Sequence, residues 1–84
     1  MTIPIKASNR VEIIKQMKAI IIEMKIKNEE YIKNGFIMEL AQSKKDMVNS
    51  IIRISKNEYM ANIIFNEIPL YRYNYHGMVA RSGR

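Results

Sequence analysis

The stretch over residues 10–34 constrains this chain most, because helix signals close it at both ends. Asn9 can accept a hydrogen bond from the first helical turn, and Glu12 stands three residues on, the spacing of a capping box. Gly35 follows the last position and can take the left-handed turn that ends a helix. Between them Ile14, Met17, Ile21, Met24 and Tyr31 recur at steps of three and four, with Asn28 in the one gap. A helix over residues 10–34 is ~37 Å long at ~1.5 Å per residue, more than a compact chain of this size needs. It demands a long neighbour, inside the chain or on another molecule.

The rest of the sequence is read as supplying one. Phe36, Ile37, Met38 and Leu40 predict a short helical turn over residues 36–42. Ser43 with Asp46 three on is a second cap signal, and a second helix follows over residues 44–68. Its apolar face comes from Met47, Val48, Ile51, Ile52 and Ile54, is resumed by Met60, Ile63, Ile64, Phe65 and Ile68, and stops at Pro69. Ser55 and Glu58 form a third capping box, which predicts a break near residue 55. Residues 1–7 place Ile3 and Ile5 around Pro4, as in an edge strand or an extended arm. In the tail, residues 69–84, Tyr71, Tyr73 and Tyr75 alternate with other residues at the strand period, so the two chain ends could pair. The expected fold is one domain, all-α or nearly so: a long antiparallel helical hairpin or small helical bundle, with a short strand from the chain ends. Its expected core is Ile14, Met17, Ile21, Met24, Val48, Ile51, Ile52, Met60, Ile63 and Ile64.

Composition removes several functions. The chain has no cysteine, which excludes a disulfide scaffold and a thiolate metal site. Residues 1–7 lack the charged and apolar regions of a secretory signal. The longest apolar run, residues 19–22, falls far short of the ~20 needed to span a bilayer. A cytoplasmic protein without a membrane segment is expected. Isoleucine occurs 16 times and leucine twice, a bias that AT-rich codons produce and that suggests a low-GC bacterium, a phage or another mobile element.

Catalysis finds no support. The one histidine, His76, has no serine and acid at a spacing that predicts a triad, and it reads as a surface or stacking residue. Glu29 and Glu30 are adjacent rather than one turn apart, so they do not make a metal site. The three glycines are isolated, which leaves no phosphate-cradling loop. The chain is read as a non-enzyme with no cofactor and no metal.

Binding is the remaining class. The net charge is +6, and its distribution is uneven. Residues 1–34 hold seven basic and four acidic groups, whereas residues 69–84 hold three arginines and no acid. Basic ends of this kind suit phosphate or an acidic partner. The first reading is a nucleic-acid or ribonucleoprotein binder. Lys15, Lys18 and Lys25 on one helix face would follow phosphates, and Arg72, Tyr73, Tyr75, His76, Arg81 and Arg84 would stack on bases and neutralise charge. A helix-turn-helix over residues 46–64 matches poorly, since its turn has no glycine and its second helix no basic residue after Lys56. The second reading is a protein-interaction module, such as a phage or mobile-element inhibitor or adaptor that binds a host protein. A hairpin would leave apolar surface open, so a homodimer is expected, with Ile14, Met17, Ile21, Ile22, Met24 and Ile26 at its interface.

Overall fold

A computed structural model describes residues 1–71 as a two-layer α+β domain, with element order β1 (Thr2–Ala7), α1 (Arg10–Tyr31), β2 (Phe36–Leu40), α2 (Lys44–Asn49), β3 (Ile52–Ser55) and β4 (Glu58–Pro69). The Asn9 side chain accepts from the Glu12 N–H at 2.9 Å and starts α1. A 3-10 turn, Ile32–Asn34, tightens the far end, and Gly35 reverses the chain at φ 89°. The Tyr31 and Phe36 rings stack across this reversal with centroids 4.8 Å apart.

The all-α expectation fails in the second half of the chain. Of the helix expected over residues 44–68, only Lys44–Asn49 is helical, capped by Ser43. The turn expected over residues 36–42 is strand β2. Ser55 and Glu58, read as a capping box, instead face each other across the β3–β4 hairpin. The helix-turn-helix over residues 46–64 is likewise excluded by these strands. The cause lies in residues 58–69. Ala61, Ile63 and Phe65 are buried while Asn62, Ile64 and Asn66 are exposed, a period of two rather than 3.6. Isoleucine, tyrosine and phenylalanine also favour a pleated, half-buried surface, and here they outweigh a helical spacing that was only approximate.

β4 is the spine of the sheet. β1 pairs antiparallel with residues 59–64 along one side. β2 pairs with residues 65–69, and β3 with residues 58–60. Tyr59 and Met60 pair with both β1 and β3, which places those strands on opposite sides of the spine. β1 is thus held by β4, and the expected pairing of the two chain ends falls on residues 72–84. Residues 72–84 lie outside the described residues.

The core forms between α1 and one face of this sheet. Ile13, Met17 and Met24 of α1 meet Ile5, Met38, Ala61, Ile63 and Phe65, and Met47 and Ile51 add α2 to the cluster. Ile13 and Ile63 are completely inaccessible, each contributing about 1.5–3 kcal/mol by its removal from water. Of the expected core, Met17, Met24, Ile51 and Ile63 are buried, and Ile14, Ile21, Val48 and Met60 are half-buried. Ile52 and Ile64 are exposed, because strand alternation turns them to the other face.

Side chains answer part of each long edge. Met1 and Phe65 exchange two backbone bonds at 2.8 Å, so by ladder alternation Thr2, Pro4 and Lys6 turn their backbone groups outward. Pro4 has no N–H to offer there, and Gln16 Nε2 covers the Lys6 carbonyl at 3.3 Å. On β2, Ala41 and Gly35 bond toward the spine, which leaves Met38 facing out. Asn28 answers both its groups: Met38 N donates to Oδ1 at 2.8 Å, and Nδ2 donates to the Met38 carbonyl at 2.9 Å. Gln42 does the same between β2 and β3, accepting from Ile64 N at 3.0 Å and donating to the Asn62 carbonyl at 3.4 Å. Each carboxamide offers one donor and one acceptor side by side, as a neighbouring strand does.

Candidate functional site

The domain has two outer faces, the solvent side of α1 and the open side of the sheet. The more distinctive is the solvent side of α1. At 100° per residue Val11, Lys15, Lys18, Ile22, Lys25 and Ile26 fall within about 100° of arc, opposite Ile13, Ile20 and Met24. All six are exposed, Ile22 at 58% and Ile26 at 63%. Two β-branched residues one turn apart thus sit in water with lysines on either flank. Lys15 is held by Glu12 at 3.6 Å, and Lys27, on another side of the helix, by Glu23 at 3.2 Å. Lys18 and Lys25 have no ion pair among the described residues. No acid stands on this arc before Glu29.

The residues singled out in the sequence separate into three groups. Lys15, Lys18, Lys25, Ile22 and Ile26 come together on this one face, which joins part of the expected nucleic-acid surface to part of the expected oligomer interface. Met17 and Met24 are buried against the chain's own sheet, with Ile14 and Ile21 half-buried at its margin. Arg72, Tyr73, Tyr75, His76, Arg81 and Arg84 lie outside the described residues. Val11 was missed, although its place on the lysine arc is readable from the helical period alone.

Shallow grooves run along both flanks of α1. One, of about 260 Å³, lies over Ile21, Met24 and Phe65 with Lys25 and Glu39 among its lining residues. The other, of about 230 Å³, lies between Ile3 and Ile20, with Glu23 and Lys27. Both fall below the ~300–1,000 Å³ of small-molecule sites. Their apolar floors extend the helix face rather than enclose a ligand. Among the described residues no three His, Cys, Asp or Glu side chains converge as a metal site would require, and no helix is long and apolar enough to cross a membrane.

Compared with known proteins, the chain matches no family model, no curated protein and no solved structure.

Proposed function

We propose that this chain is a small, non-enzymatic protein-interaction module, an inhibitor or adaptor that binds an acidic protein through the outward face of α1. The observation that carries this reading is Ile22 and Ile26, exposed beside Lys18 and Lys25, which have no ion pair among the described residues. A phosphate backbone offers nothing to bury an isoleucine against. A protein surface with an apolar centre and an acidic rim satisfies both halves of the face: the apolar atoms leave water, and the lysines steer approach and fix orientation. The α1 helix is also rigid and already formed, so little ordering cost opposes binding. The cysteine-free composition fits action in the cytoplasm.

Nucleic-acid binding is the second reading, favoured by the clustering of Lys15, Lys18 and Lys25 on one side and by the arginines of residues 72–84. The two readings separate by experiment. A partner captured on the immobilised full chain is purified and titrated against wild type, Ile22→Asp and Lys18→Glu/Lys25→Glu by calorimetry. Protein docking requires both variants to weaken binding by roughly tenfold or more. Full affinity in either variant removes this face from the site. In parallel, labelled single- and double-stranded DNA and RNA are titrated across a salt series. A steep linear fall of log affinity with log salt supports nucleic acid instead.

A further inference from the structure

The second outer face is the open side of the sheet. We propose that two copies of this chain pack these faces together as a two-fold dimer. On β4 the outward positions are Glu58, Met60, Asn62, Ile64, Asn66 and Ile68, of which only Glu58, at the strand's start, is charged. Ile64 is 37% exposed, and Ile52, across from Met60 on β3, is 55% exposed. An antiparallel sheet with one bare face is stable when that face is polar. Isoleucines there call for a cover.

Charge names the cover. The charged residues at outward positions of β1, β2 and β4 are Lys6, Glu39 and Glu58, one cation and two anions, in a chain of net charge +6. The positive charge that makes two copies repel lies elsewhere, so repulsion is least when they approach by this face. Lys6 lies on β1 beside Met60, and Glu39 lies on β2 beside Asn66. They stand on opposite sides of the spine, six residues apart along it, about 20 Å at ~3.3 Å per residue. A two-fold axis lying between the two sheets carries the Lys6 corner of one copy onto the Glu39 corner of the other, and does so twice. Such an isologous contact sets Ile64 near the centre and an ion pair at each end. Strand addition is disfavoured on the long edges, where Pro4 lacks a donor and Gln16 and Asn28 already bond Lys6 and Met38.

This dimer uses the side away from α1 and does not rest on the α1 reading. Sedimentation velocity of the full chain over a concentration series tests it. The expected result is a species of twice the 9.9 kDa chain mass. Ile64→Lys, at an exposed position, should return a folded monomer, as judged by circular dichroism. Lys6→Glu and Glu39→Lys should each weaken self-association by about tenfold, and the double swap Lys6→Glu/Glu39→Lys should restore it. Lys18→Glu should leave it unchanged. A wild type that stays monomeric at every concentration overturns the proposal and leaves the face for a different protein. A dimer indifferent to Ile64→Lys, or a double swap no tighter than the singles, also overturns it.

Discussion

Asn28 shows how one side chain can decide where a sheet ends. Its amide reproduces the two bonds a further strand would give Met38, in a part-buried setting where unpaired backbone groups are costly. In the sequence it was the single polar residue in an apolar seam, and the strand it serves is ten residues away. Removing it should be felt as two lost bonds. Asn28→Ala is expected to lower stability by about 2–3 kcal/mol, read as a shifted midpoint in urea denaturation with unchanged slope. Asn28→Asp is the sharper test. It keeps the acceptor for the Met38 N–H but sets a carboxylate oxygen against the Met38 carbonyl, and should destabilise at least as much. An aspartate variant as stable as wild type would mean that the amide is not sealing the edge. Gln42→Ala, whose bonds are longer and more exposed, should cost only about 1 kcal/mol.

At the scale of elements, β4 separates the helical reading of residues 58–69 from the strand reading. A helix buries Ile63 and Ile64 together; a strand sends them to opposite faces. Ile63→Ala is therefore expected to cost about 2–5 kcal/mol, and Ile64→Ala, at an exposed site, well under half of that. Equal losses would return the segment to a helix. α1 was legible because its signals are local: Asn9 and Gly35 act within one turn of themselves, and its apolar period runs for six turns. β4 was not, because a strand has no local cap and its partners lie far off in the chain, Ile63 meeting Ile3. Ala61, small and unremarkable in composition, sits in the core only because β1 and α1 arrive there. The excess of isoleucine could not tell helix from strand, since β-branched residues are as dense in α1, seven of 22, as in residues 51–68, six of 18. The lysine arc of α1 was readable, but its isoleucines gained meaning only once a sheet had filled the opposite side of the helix.

For the whole molecule, the division of charge lets the two functional readings be separated by one truncation. Of the net +6, three charges come from Arg72, Arg81 and Arg84, and no acid lies beyond residue 71. Ending the chain after Tyr71 therefore halves the net charge to +3 and removes none of the residues of the α1 face or the core. If the basic residues serve a phosphate backbone, each lost contact also lowers the number of counterions released. The truncated chain should then bind labelled nucleic acid more weakly and with a salt slope shallower by up to about 2–3. If the function is docking through Ile22, Ile26, Lys18 and Lys25, the same truncation should leave partner affinity within about threefold of wild type, because none of those groups is removed. The expected outcome is retained protein affinity in residues 1–71, measured by calorimetry beside the intact chain. A loss of more than tenfold would move the site from the helix to the tail, and the direction of the salt dependence would then say whether the tail meets nucleic acid or protein.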